Sequence, residues 1–222
     1  MTEVIVTTDL ATKIDHTILK PDVTLKEIEK LCVEAKDNSF FAVCVPPVYV
    51  GDAKKFLGKS KVKIATVVGF PLGYGNTLIK VEETKKAIED GANEIDMVMN
   101  ISALKNHQYK VVLDDIQSVV VTAHFHKAIV KVIVETCLLS DEEIVKACEL
   151  CVQAEADFVK TSTGFSKEGA TVEAVKLIRS TLPKKIKVKA SGGIRTKSFA
   201  LQLIEAGADR IGTSSGIQMI NE

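Results

Sequence analysis

The chain has 222 residues, 46% of them hydrophobic, enough for one large domain or two small ones with a full core. Lysine plus arginine and aspartate plus glutamate both number 29, so no overall charge points to nucleic acid or to an anionic membrane surface. No apolar stretch is long enough to span a bilayer, Met1 to Val4 carry no signal-peptide pattern, and the five cysteines fit reduced thiols in a cytoplasm.

Strand and helix signals alternate along the chain. Lys13 to Leu19 reads as a first short strand. Thr24 to Asp37 reads as a helix, with Thr24 and Glu27 as a capping box and Leu25, Ile28, Leu31, Cys32 and Ala35 on one apolar face. Phe40 to Val45 is a second strand, and Pro47 suits the first turn of a helix that turns Val50, Ala53 and Phe56 inward. Lys63 to Val68 is a third strand. Asn76 to Asp90 is helical, with Leu78, Val81, Lys85 and Ile88 on one stripe and Gly91 as its cap. Glu94 to Met99 is the fourth strand, Tyr109 to His124 a helix, and Ile129 to Glu135 the fifth strand. Ser140 and Glu143 form a second capping box, opening a helix with Ile144, Ala147, Cys148 and Cys151 inward. The C-x-x-C spacing of Cys148 and Cys151 thus reads as a buried helix face, not a redox or zinc site. Phe158 to Lys160 ends a sixth strand, and Thr171 caps the next helix, with Val172, Val175, Ile178 and Leu182 inward. Lys187 to Ala190 is the seventh strand, Thr196 to Ala206 a helix, and Arg210 to Thr213 the eighth strand.

Eight strands, each followed by a helix, predict an α/β protein: one eight-fold β/α (TIM) barrel domain over residues 1–222. The strands are mostly apolar without clear alternation, as parallel strands covered by helices should be. An open doubly wound sheet is the alternative. A weak repeat supports the count: Glu89 to Ile95 and Glu205 to Ile211 share a helix end, a cap Gly and a strand start. Gln153 to Phe158 repeats this grammar with Glu155 in the Gly place.

A barrel carries its active site at the C-terminal ends of its strands. Asp15 and Thr17 on strand one gather there, with Cys44 on strand two, Asp96 and Asn100 on strand four, and Lys131 and Glu135 on strand five. Lys160 and Thr161 come from strand six, with Gly164 in the loop beyond, and Lys189 from strand seven. Lysines are costly to bury unless paired, yet Lys131, Lys160 and Lys189 occupy three consecutive strands. That placement points to function, with Asp96 as counter-charge and proton carrier. A buried amine with a lowered pKa is a nucleophile that forms a Schiff base with a carbonyl. Ser191-Gly192-Gly193 and Ser214-Ser215-Gly216 follow strands seven and eight, where barrels often hold a phosphate on backbone N–H groups. His124 and His126 precede strand five, at the opposite face, and His16 points away from Asp15. No Cys, His and carboxylate set has metal-ligand spacing, so no metal or other cofactor is expected.

Asp15-His-Thr-Ile-Leu19, Val68-Gly-Phe-Pro-Leu-Gly73, Glu94-Ile-Asp-Met-Val98, Val159-Lys-Thr-Ser-Thr-Gly-Phe165, Val188-Lys-Ala-Ser-Gly-Gly-Ile-Arg195 and Gly212-Thr-Ser-Ser215 together resemble the deoxyribose-phosphate aldolase family of class I β/α-barrel aldolases. The resemblance runs from about Ile14 to Gly216. It implies reversible cleavage of a deoxyribose phosphate to acetaldehyde and glyceraldehyde 3-phosphate, without metal. It implies Lys160 as the Schiff-base lysine, Lys189 as the neighbouring cation and Asp96 as the proton relay. A sugar phosphate and an aldehyde are the implied partners, with no nucleic acid or membrane, and a homodimer is a family-level expectation. Two departures stand out. Glu155 replaces a usual Gly, and the chain ends at Asn221-Glu222 without the Tyr-ended tail some members carry, so no tail-borne proton shuttle is expected. A sugar-phosphate isomerase, or a barrel that binds a phosphorylated metabolite without catalysis, are the alternative readings.

Overall fold

The computed structural model describes residues 10–222; the reading of Met1 to Val4 lies outside the described residues. Eight parallel strands close into a barrel in sequence order: β1 (Ile14–Thr17), β2 (Ala42–Val45), β3 (Lys63–Val68), β4 (Glu94–Val98), β5 (Ile129–Ile133), β6 (Phe158–Lys160), β7 (Lys187–Ser191) and β8 (Arg210–Thr213). Closure is made by β1 against β8, with Asp15 opposite Gly212. The expected barrel is therefore observed, and its closed sheet has no free edge.

The outer layer is α1 (Leu25–Asp37), α2 (Val50–Leu57), α3 (Thr77–Asp90), α4 (Ile101–Lys105), α5 (Tyr109–Phe125), α6 (Asp141–Gln153), α7 (Val172–Thr181), α8 (Lys197–Glu205) and α9 (Gly216–Asn221). Both capping boxes form, at Thr24 with Glu27 and at Ser140 with Glu143. On α1, Ile28, Leu31, Cys32 and Ala35 are buried as expected, but Leu25 lies in the first turn and is exposed. The expected face of α3 holds at Ile88, which packs against the core, but not at Leu78 or Lys85, which are exposed. Its buried residues are Lys80, Thr84 and Ala87, while Leu78 is 73% exposed. Lys80 is the cause: its Nζ lies 2.5 Å from Asp115 Oδ2 on α5 and donates to the Val98 carbonyl at 2.9 Å. A paired ammonium can be buried, and here it turns the helix face. Among the described residues no helix is long and apolar enough to cross a membrane.

β2 and β3 are apolar on both faces as expected, save Lys63 and Thr66, but β4, β5, β7 and β8 alternate, contrary to expectation. Ile95, Met97, Val130, Val132, Val159, Val188, Ala190 and Ile211 belong to the apolar core shared with the helices. Their neighbours Glu94, Asp96, Lys131, Lys189 and Arg210 meet one another instead. Both faces of these strands are buried, so the two-residue period separates apolar from charged rather than core from solvent. The barrel interior is built on ion pairs from β1, β4, β5, β7 and β8, with a small apolar cluster of Cys44, Ala65 and Val67 on the β2 and β3 side.

Candidate active site

Six charged side chains form a closed alternating ring. Lys189 Nζ lies 2.5 Å from Asp15 Oδ2, and Arg210 donates from Nε to Asp15 Oδ1 at 2.8 Å. The same guanidinium reaches Glu94 Oε2 at 3.1 Å, and that oxygen lies 2.5 Å from Lys131 Nζ. Lys131 donates to Asp96 Oδ1 at 2.7 Å, and Lys189 donates to Asp96 Oδ2 at 2.8 Å, closing the circuit. All six are buried. An isolated buried charge costs several kcal/mol, so burial requires the two opposite partners each member has here. Gly212 on β8 leaves room for this packing, because a Cβ there would meet Lys189 Cε at 3.0 Å.

Lys160 stands outside the ring. Its Nζ donates to Asp96 Oδ2 at 2.8 Å, and Asp96 is the one carboxylate it contacts among the described residues. Burial holds its pKa below the ordinary lysine value, and Lys189 pushes the same way against the pull of Asp96. Burial also opposes charge on Lys189, but Asp15 and Asp96 overcome it and raise that pKa. Lys131 is raised in the same manner, against burial, by Asp96 and Glu94. Burial would favour a neutral Asp96, yet Lys131, Lys160 and Lys189 hold its carboxyl well below the usual range. The ring already contains three carboxylates and three cations, so a protonated Lys160 would add an unbalanced charge. A neutral amine in this position is a nucleophile.

Lys160 lies at the C-terminal end of β6, on the wall of a cavity of about 330 Å³ at the barrel mouth. Thr17, Ser191 and Thr213 line it from the ends of β1, β7 and β8, and Gly192, Gly193 and Ser214 from the loops beyond. The β6 and β7 loops meet backbone to backbone: a Cβ on Gly169 would fall 2.0 Å from the Gly192 carbonyl oxygen. Gly192 and Gly193 also adopt φ of +86° and +74°, which favours glycine. Glu135, buried after β5 in a left-handed conformation, accepts bonds from the Thr163 N–H and hydroxyl and fixes Thr163 on the cavity wall. Phe165 meets Phe70 edge-on at 5.3 Å, at the rim.

Of the expected site residues, Lys160, Thr17, Gly164, Gly192, Gly193 and Ser214 line the cavity. Lys189 and Asp96 lie beneath it, within contact of Lys160 through one carboxylate. Direct contact with a ligand was expected of Asp15, Cys44, Lys131, Thr161 and Ser215, and the structure puts none of them on the cavity wall. Asp15 and Lys131 are engaged in the ring. The Thr161 hydroxyl donates to the Ser191 carbonyl and accepts the Ser191 N–H, both at 3.1 Å, tying β6 to β7. Cys44 is fully buried, and that burial raises its thiol pKa. Ser215 directs its N–H to Thr213 Oγ1 at 2.9 Å. Lys20, Thr163, Phe165 and Arg195 line the cavity without having been singled out, and Glu94 and Arg210 complete the ring in the same way. The two-residue period was the signal for the last two. His16 faces outward as expected, with Nε2 2.8 Å from Glu34, and His124 pairs with Asp157.

The family model described as DeoC/LacD family aldolase matches residues 9–221. A deoxyribose-phosphate aldolase from Natranaerobius thermophilus is 58% identical over 207 residues, 93% of this chain and 94% of that one. One from Clostridium tetani is 56% identical over 209 residues, 94% of this chain and 96% of that one. The solved deoxyribose phosphate aldolase of Aeropyrum pernix, described as a unique tetramer, superposes with a TM-score of 0.91 at 36% identity, over 97% of this chain and 91% of that one. These matches span the barrel, the ring and the cavity loops alike, and the chain belongs to the DeoC/LacD family of aldolases.

Proposed function

We propose that this chain is a class I aldolase that reversibly cleaves 2-deoxy-D-ribose 5-phosphate to acetaldehyde and D-glyceraldehyde 3-phosphate. One observation carries the reading: of the three strand lysines Lys131, Lys160 and Lys189, Lys160 alone stands outside the balanced ring, and it alone of the three lines the cavity. The names of its relatives support the substrate.

The chemistry follows from these positions. Neutral Lys160 adds to the aldehyde carbon of the open-chain sugar, and loss of water gives an iminium. The 3-hydroxyl gives up its proton, the bond between the second and third carbons breaks, and its electron pair moves to the iminium nitrogen. Glyceraldehyde 3-phosphate leaves. The remaining enamine takes a proton on carbon, and water releases acetaldehyde and restores Lys160. Asp96 starts ionised, so it serves first as the proton acceptor, through a water, with Lys189 holding its charge. The phosphate lies against the Gly192-Gly193 turn and Ser214, with Arg195 and Lys20 at the rim supplying positive charge. A homodimer and a cytoplasmic location belong to the same reading.

Borohydride reduction in the presence of acetaldehyde tests it. A stable adduct, with release of glyceraldehyde 3-phosphate from deoxyribose 5-phosphate, is the expected result. An isomerase would convert a sugar phosphate without trapping, and a binding barrel would do neither. Either outcome would overturn the proposal.

A further inference from the structure

We infer that Glu94 and Arg210, which open β4 and β8 at the bottom of the barrel, are positioning residues that set the protonation state of Lys160 by fixing the number of charges in the ring. The inference rests on the Schiff-base reading of Lys160. Neither residue lines the cavity. From Asp96, the ring reaches Glu94 through Lys131, and Arg210 lies one contact further on. Opposite charges inside a low-dielectric interior interact over more than one contact, so the whole ring is felt at Lys160. The groups acting on Lys160 are Asp96 from β4, Lys189 from β7, Cys44 from β2 and Glu135 beyond β5. Lys131 and Asp15 act through the ring. The groups facing Glu94 and Arg210 are Lys131 and Asp15, with the Phe41 ring 3.5 Å from the guanidinium.

Counting charges gives the two residues opposite effects. Without the Glu94 carboxylate the ring carries one surplus positive charge, which disfavours a second cation at Lys160 and moves its titration to lower pH. Without the Arg210 guanidinium the ring carries one surplus negative charge, which favours the Lys160 ammonium and moves its titration to higher pH. A residue that merely supported the fold would not give shifts of opposite sign.

The test compares full-length wild type with Glu94→Gln, Arg210→Met, Arg210→Lys and the double variant Glu94→Gln/Arg210→Met. Trace acetic anhydride labels lysines at a rate set by their neutral fraction, and peptide mass spectrometry across pH gives the midpoint for Lys160. The expected displacement is about one pH unit down in Glu94→Gln and about one up in Arg210→Met, roughly a tenfold change in neutral fraction on the acid side of the midpoint. The double variant and Arg210→Lys should return to the wild-type midpoint, since both restore the charge count. The acid limb of kcat/KM should follow. Midpoints of Glu94→Gln and Arg210→Met that stay in place, or move in the same direction, overturn the inference. If Glu94→Gln or Arg210→Met fails to fold, the sign of the other's displacement decides it, and a displaced midpoint in Arg210→Lys is incompatible with charge counting. Labelling needs no turnover, so failed acetaldehyde trapping on wild type would sink the Schiff-base reading separately.

Discussion

Lys160 and Lys189 sit opposite each other on β6 and β7 and donate to the same oxygen, Asp96 Oδ2, each at 2.8 Å. Lys189 has a second carboxylate, Asp15 Oδ2 at 2.5 Å, and Lys160 does not. That difference of one contact separates their chemistry. Both amines are desolvated, but Lys189 is repaid by two negative neighbours and stays charged, while Lys160 is pressed toward the neutral form by burial and by Lys189 itself.

The phosphate position makes a prediction that distinguishes neighbouring serines. Ser214 lines the cavity, and Ser215 has its N–H committed to Thr213. Ser214→Glu should raise KM for deoxyribose 5-phosphate by about tenfold or more, through repulsion of the phosphate, while changing kcat/KM for unphosphorylated deoxyribose little. Ser215→Glu should have the smaller effect. Steady-state kinetics with both sugars is the check, and equal losses for both would place the phosphate elsewhere.

Acid should unfold the protein through the ring. Burial would favour a neutral Asp15, but Lys189 and Arg210 bring its pKa down from 3.8 to about 2. A folded pKa below the unfolded one adds stability that is complete above the unfolded value and lost as pH falls through the folded one. The window therefore runs from about pH 4 down to about pH 2, and Asp15 alone accounts for roughly 2 kcal/mol across it. Asp15→Asn should lose about 3 kcal/mol near neutral pH, where Lys189 and Arg210 each lose one of their two carboxylate partners, and should show a shallower acid slope. Urea unfolding at a series of pH values measures both.

The order of the strands was legible because Thr24, Ser140 and Thr171 cap helix starts and each strand is short and largely apolar. Lys131, Lys160 and Lys189 stood out for the converse reason, as charges inside apolar strands. Glu94 and Arg210 did not, because a charged residue at a strand start reads equally well as the end of the preceding loop. Lys80 was missed because its burial depends on Asp115, which lies on another helix and is invisible to local periodicity. The bond from the Ser215 N–H to the Thr213 hydroxyl was not legible, because composition alone cannot tell a turn bond from an anion cradle.

Glu155 offers a stability test away from the site. It follows α6 with φ of +58° and is exposed, in the place where the repeat has Gly. Glu155→Gly should stabilise the fold by about 1 kcal/mol, because Gly carries no Cβ penalty in that conformation. The denaturation midpoint should rise, with no change in kcat or KM. A midpoint that fell would mean that the Glu155 side chain contributes more than its backbone strain costs.

The assignment of the nucleophile is tested most directly by locating the reduced acetaldehyde adduct. Wild type and Lys189→Leu are treated with acetaldehyde and borohydride over a range of pH, digested, and sequenced by mass spectrometry, with Lys160→Leu alongside. The label is expected on Lys160 in wild type. In Lys189→Leu a ring cation is gone, so the Lys160 pKa should rise, labelling near neutral pH should drop by about tenfold or more, and alkaline pH should partly restore it. Lys160→Leu should take no label at any pH. An adduct on Lys189, or undiminished neutral-pH labelling of Lys160 once Lys189 is removed, would contradict the division of roles between the two lysines.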